Sequence, residues 1–228
     1  MRGSIQTFAS RDALMRGAAE RLEEALQAGI AAHGQACALL SGGSTPAPAY
    51  ALFASRNLDW SKVTFALADE RFVPPSDEAS NERMLRATLA RPLSAGATLV
   101  PMYTGDSPEQ DALRANVLYA PLSFDVALLG MGEDAHTLSW FPGAEGLDAA
   151  LDLADLRSVV AIHAPEAAGT PDRLTLTRSA LVRARHIVVL ITGPKKFGVL
   201  TSSIGEPDKP AGLLFEPPLP PPDVLWAI

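Results

Sequence analysis

Phe124 to Gly143 reads FDVALLGMGEDAHTLSWFPG. Its opening, Phe124 to Leu129, is short and mostly apolar, the pattern of a strand covered on both faces in a parallel sheet. Gly130 and Gly132 then let the backbone turn sharply. Asp134 and His136 therefore fall at the carboxyl end of that strand, where open α/β sheets take their ligands. A histidine alone is most often structural or merely exposed. An acid two residues before it, in a glycine turn after a strand, makes this one a candidate for proton transfer.

Strand and helix patterns alternate on both sides of this stretch. Arg11 to Ala32 carries Leu14, Ala18, Leu22, Ala25, Leu26 and Ile30 at helical spacing, which predicts a long amphipathic helix ended by His33 and Gly34. Strands are expected at Ala36–Leu40, Val63–Ala68, Thr98–Met102, Ser158–Ile162, Arg173–Thr177 and Ile187–Thr192. Helices are expected from Pro46 to about Arg56, over Asn81–Leu89 and over Pro108–Tyr119. The repeated order implies a doubly wound, mostly parallel α/β sheet flanked by helices, as one domain over residues 1–228. The proline-rich segment Pro217–Pro222 reads as an extended surface stretch that returns Val224, Leu225 and Trp226 to the body.

Three further loops leave the same sheet edge. SGGSTPAPAY, Ser41 to Tyr50, has Gly42 and Gly43 for close approach, Ser44 and Thr45 as hydroxyl donors and Pro46 to open a helix. Such a turn can cradle a phosphate on backbone N–H groups. It lacks the lysine of a Walker loop and the third glycine of a dinucleotide fingerprint. ADERFVP places Asp69, Glu70 and Arg71 after a strand. Arg71 is a candidate for phosphate or oxyanion contact, Ser80 for a helix cap, and Asn81 for a hydrogen bond to a polar substrate group. PDRLTLT and ITGPKKFGVL supply Arg173, Lys195 and Lys196. A lysine just past a Gly-Pro turn suits a phosphate as a point charge. Only one of the two lysines is expected there, and Lys195 is the choice. His163 and His186 lack a comparable setting and read as structural.

Composition narrows the partners. The chain has 228 residues, 47% of them hydrophobic, and a formal charge of -7, with an isoelectric point near 5.1. That balance argues against nucleic acid or an anionic membrane as partner, because both call for a basic face. Cys37 is the only cysteine, so no intrachain disulfide or thiolate metal cluster forms, and its apolar neighbours point to a buried thiol. No signal-peptide core or membrane-length apolar run is present. A soluble cytoplasmic protein, monomeric or a small homo-oligomer, is expected.

SGGSTP, ADERFVP, SNERMLR, GMGEDAHTLSWFPG, RLTLT and GPKK in this order resemble the soluble 6-phosphogluconolactonase family over most of the chain. That family groups with the glucosamine-6-phosphate deaminases and isomerases on a modified Rossmann-type core. The resemblance implies hydrolysis of 6-phosphoglucono-1,5-lactone to 6-phosphogluconate in the oxidative pentose phosphate pathway, without metal or cofactor. It makes His136 the general base, with Asp134 orienting the ring. Arg71 or backbone N–H groups would stabilise the oxyanion. Gly42 to Thr45 with Lys195 and Arg173 would hold the phosphate.

Two residues depart from the family pattern. Ala135 stands where glycine is usual, so a positive φ there would cost roughly 1 kcal/mol or more. Trp140 replaces leucine and is expected to narrow the pocket. Deaminase relatives carry an acid where this chain has Phe141, which favours the hydrolase over ring opening and enolisation. A noncatalytic sugar-phosphate sensor is the other alternative.

Overall fold

The computed structural model describes residues 3–228, so the first two residues of the expected domain lie outside the description. Strand β1 (Ile5–Phe8) leads into helix α1 (Arg11–His33). The Ser10 hydroxyl accepts from the Ala13 amide at the start of α1, and Gly34 closes its end at φ 81° in the left-handed region that favours glycine. Strand β2 (Ala36–Leu40), helix α2 (Ala47–Ala54) and strand β3 (Val63–Leu67) follow. The fully buried ACALL and nearly buried VTFAL explain why both strands sit inside the sheet.

Strand β4 (Asp69–Arg71), helices α3 (Asn81–Thr88) and α4 (Ala90–Ser94), strand β5 (Thr98–Val100) and helix α5 (Pro108–Tyr119) complete the first half. The second half runs through β6 (Val126–Leu129), α6 (Leu147–Leu151), β7 (Val159–His163), β8 (Asp172–Leu176), α7 (Arg178–Leu181), β9 (Ile187–Thr192), α8 (Pro194–Thr201) and β10 (Asp223–Ala227).

Seven strands form the main sheet in the order β1-β10-β9-β6-β2-β3-β5, and every pair in it is parallel. The chain steps outward from β2 through β3 to β5, then returns to β6 on the other side. The strand order therefore reverses between β2 and β6, which opens a crevice at their carboxyl ends. The loops after these two strands are those of Ser41–Thr45 and Gly130–His136.

Two expected members of that sheet lie elsewhere. β7 and β8 pair antiparallel with each other and with β4 in a separate three-stranded sheet, β4-β8-β7. No helix separates β7 from β8, so the crossover that parallel pairing requires is missing and the chain folds straight back. β4 forms within the segment expected as a loop, because three residues are too few to show alternation. The returning tail is confirmed, because Val224, Leu225 and Trp226 lie in β10 between β9 and β1. One cluster of buried apolar side chains extends from Leu14 on α1 to Ala227 on β10. No described helix is long and apolar enough to cross a membrane.

Candidate active site

A cleft of about 240 Å³ lies over the β2/β6 crevice, lined among others by Ser41 to Pro46, Asp69, Arg71, Asn81, Gly132, His136, Arg173 and Lys196. The Ser41 amide donates to the Leu128 carbonyl at 3.1 Å, tying the two glycine loops together. Tyr50 Oη donates to the Ser41 carbonyl at 2.9 Å from beneath. Gly42 is required by close approach: a Cβ there would stand 1.9 Å from Asn81 Oδ1. The Ser41 hydroxyl is buried at the cleft without a partner among the described residues.

His136 and Asp134 come together as expected. Nδ1 of His136 lies 2.5 Å from Asp134 Oδ1, which also accepts from the His136 backbone amide at 3.2 Å. Burial works against the charge on Asp134, but the hydrogen bond and charge of His136 outweigh it and hold the carboxyl below its usual range. A carboxylate can only accept, so Nδ1 carries a proton, and in the neutral ring Nε2 keeps its lone pair. Gly132 permits this packing, since a Cβ there would sit 2.2 Å from the imidazole ring. The loop keeps a left-handed bend at Ala135, φ 66°, and again at Leu138, φ 51°. The expected positive φ at Ala135 is therefore present, with its steric cost.

Arg71 and Asn81 form a braced unit. Arg71 Nη1 donates to the Ala79 carbonyl at 2.6 Å and to Asn81 Oδ1 at 2.7 Å. Asn81 Nδ2 donates to the Asp69 carbonyl at 2.9 Å, and Asp69 in turn accepts from Ser139 Oγ at 2.7 Å. Behind them, fully buried Glu70 accepts from the amides of Arg71, Asn81 and Glu82 and from Ser80 Oγ. Burial pushes the Glu70 carboxyl up to about 7 against the pull of these donors. Ser80 does cap α3, accepting from the Arg83 amide at 3.1 Å.

The cations divide. Arg173 reaches the cleft from β8, only 3% exposed, and donates to the Thr170 and Ala168 carbonyls. Burial lowers its pKa, with Asp69 pulling the other way. Lys195 does not line the cleft; its Nζ pairs at 2.5 Å with Glu133, and both side chains are largely exposed. Lys196 lines the cleft instead. Consecutive residues on a helix point about 100° apart, so only one of the two can face the site. Among the described residues no three His, Cys, Asp or Glu side chains are arranged to hold a metal ion.

Residues 9–219 match the family described as glucosamine-6-phosphate isomerases/6-phosphogluconolactonase. The chain belongs to that family. A 6-phosphogluconolactonase of Caulobacter vibrioides is 39% identical over 98% of this chain and 97% of its own. One of Rhizobium meliloti is 39% identical over 100% of both. The crystal structure of a 6-phosphogluconolactonase from Shewanella baltica superposes with a TM-score of 0.92 at 31% identity, covering 100% of this chain and 98% of the other.

For a member of this family the cleft holds one surprise and several residues that the sequence concealed. Trp140 does not narrow the cleft. It is fully buried, and its indole N–H donates to the Leu176 carbonyl at 2.9 Å, anchoring the loop that carries His136 to the small sheet. The next residue, Phe141, lies against the His136 ring with centroids 4.2 Å apart. Ser41, Asp69 and Lys196 also belong to the cleft. Ser41 and Asp69 sit directly at strand ends, a signal that was available. Nothing in a Lys-Lys pair tells which member turns inward.

Proposed function

We propose that this chain hydrolyses 6-phospho-D-glucono-1,5-lactone to 6-phospho-D-gluconate, the lactone-opening step of the oxidative pentose phosphate pathway, in the cytoplasm. One observation carries the reading: an imidazole whose Nδ1 is committed to a carboxylate stands in a small cleft that also holds Arg71, Arg173 and Lys196. Nε2 takes a proton from water as the water oxygen bonds to the lactone carbonyl carbon, and the carbonyl π pair moves onto oxygen. Collapse of the tetrahedral oxyanion breaks the bond to the ring oxygen, which accepts the proton from the imidazolium. Asp134 stays a carboxylate and stabilises the charged ring meanwhile.

The phosphate is assigned to the Ser41–Thr45 turn with Lys196 and Arg71. Arg71 uses only Nη1 within the described residues, leaving the rest of its fork for an anion. Lys196 takes the place assigned to Lys195 from sequence, because Glu133 already neutralises Lys195. Oxyanion stabilisation falls to backbone N–H groups of the glycine loops. Held at the phosphate, the lactone meets the base as if in an intramolecular reaction. Phe141 disfavours the deaminase alternative, since no carboxylate occupies its place beside His136.

The test is the disappearance of 6-phosphogluconolactone at neutral pH with purified protein and chelator, against spontaneous hydrolysis. Fast turnover is expected. No acceleration, with 6-phosphogluconate still bound, would replace the hydrolase with a sensor.

A further inference from the structure

The Asp134 bond fixes which nitrogen of His136 carries the proton, but not the plane of the ring. Rotation about the Cβ–Cγ bond of histidine is a broad torsion, so a ring held by one hydrogen bond still rocks. Phe141 supplies the missing restraint. Its ring is tilted 31° to the imidazole at a centroid distance of 4.2 Å. Over the ring of Phe141, the Arg173 Cζ stands 5.4 Å from the phenyl centroid. Arg173 is itself immobilised, with Nε donating to the Thr170 carbonyl at 2.9 Å and Nη2 to the Ala168 carbonyl at 2.6 Å. On the chain side, buried Trp140 pins the preceding residue through its indole.

Guanidinium and imidazole thus both pack on one phenyl ring, which links the small sheet to the proposed base. We propose that Phe141, backed by Arg173, is a positioning residue that fixes the plane of the His136 ring and keeps Nε2 directed at the attacking water. Arg173 thereby acts through Phe141 and does not serve as a phosphate ligand. Its side chain stands on a phenyl ring with Nε and Nη2 tied to carbonyls of the same loop, which is the arrangement of a brace. The inference rests on the hydrolase reading and adds the device that aims its base.

The experiment compares kcat and KM of wild type, Phe141→Leu, Phe141→Tyr and Arg173→Lys, together with imidazole ¹⁵N spectra. The chain has four histidines, which makes assignment tractable. Phe141→Leu is expected to lose about 10- to 100-fold in kcat with KM nearly unchanged, the effect of misaiming a reacting group. Phe141→Tyr, which keeps the ring, restores most of the rate. The wild-type spectrum shows His136 as the Nδ1–H tautomer with sharp ring resonances, and Phe141→Leu keeps that tautomer but shifts and broadens them as the ring rocks.

Wild-type kcat in Phe141→Leu, or an equal loss in Phe141→Tyr, would overturn the proposal. Should Phe141→Leu fail to fold, Arg173→Lys decides. A lower kcat with shifted His136 resonances supports the brace, whereas a raised KM with unchanged resonances makes Arg173 a substrate ligand and sinks it. Absence of turnover in wild type would remove the hydrolase reading. The spectra would still report whether Phe141 holds the ring.

Discussion

Two of the histidine–aspartate pairs among the described residues have nearly equal geometry. His136 Nδ1 meets Asp134 at 2.5 Å and His163 Nδ1 meets Asp172 at 2.6 Å. The second pair arises from cross-strand register alone, His163 on β7 standing opposite Asp172 on β8. It borders a larger groove of about 580 Å³ whose rim carries Glu109 and Glu145. The one arginine there, Arg157, is already bound to Asp155. The first pair sits in a glycine turn at the switch point of a parallel sheet, with three cations around it. The hydrogen bond is common to both; the surroundings differ, and they decide which pair can work on an anionic ester. An acidic rim repels a phosphorylated substrate that a cationic cleft attracts.

Exchanging the pairs' histidines gives the largest expected contrast. His136→Ala should lower kcat by about 100- to 10,000-fold, the usual worth of a positioned general base, while phosphosugar affinity survives. His163→Ala should leave kcat and KM within about twofold, as for an exposed residue away from the site. Comparable losses in both variants would break the distinction between the pairs.

Glu70 tests what keeps the cationic wall in place, a feature the groove lacks. Glu70→Gln replaces one acceptor oxygen with an amide that faces backbone N–H groups, so a loss of about 1–3 kcal/mol is expected, with a raised KM as Arg71 and Asn81 loosen. The pH dependence has a definite sign. The folded carboxyl, near 7, binds its proton more tightly than the ordinary 4.5 of an unfolded chain. Between these values the native state holds more protons, so this group makes stability fall as pH rises from 4.5 to 7. Denaturation midpoints across that range should show the decline in wild type and lose it in Glu70→Gln.

A smaller effect separates the neighbouring lysines. Lys196→Ala should raise KM about tenfold, near 1.4 kcal/mol of binding, and weaken inhibition by inorganic phosphate. Lys195→Ala removes an exposed pair with Glu133, a type worth little, and should leave both constants almost unchanged. The reverse result would return the phosphate to Lys195.

This contrast also marks how far the sequence could be read. The core strands, α1, α5 and the return of the tail were legible because apolar period, capping residues and glycines agree locally. His136, Arg71 and the Ser41–Thr45 turn are legible as neighbours in one cleft because they follow strands; Asn81 joins them from the start of α3, and Asp134 is legible from its spacing to His136. Two features were not legible. Antiparallel pairing of β8 with β7 and β4 is a long-range choice that three- to five-residue strands do not declare. The inward turn of Lys196 depends on how α8 is rotated against the sheet, and the burial of Trp140 and the stacking of Phe141 depend on side-chain direction within a loop. There the backbone departs from any regular period.

Ala135 gives the finest test of that loop, and its expected effect is the smallest. Its φ of 66° should cost about 1–2 kcal/mol relative to a right-handed residue. Gly at the same place would relieve this, yet it would release about 0.5–1 kcal/mol of extra chain entropy on unfolding. It would also forfeit a buried methyl group, since Ala135 is almost fully enclosed, worth about 0.8 kcal/mol. The terms nearly cancel, so Ala135→Gly should change stability by no more than about 0.5 kcal/mol. The backbone itself has independent anchors: the Ala135 carbonyl accepts from the Ala211 amide at 2.9 Å, and the Gly132 amide donates to the His136 carbonyl at 2.9 Å. These bonds do not involve the side chain, so the His136 ring should stay where it is and kcat should hold. A large gain in kcat on Ala135→Gly would show that strain at Ala135 reaches the base, and that the Asp134 and Phe141 contacts do not by themselves fix its aim.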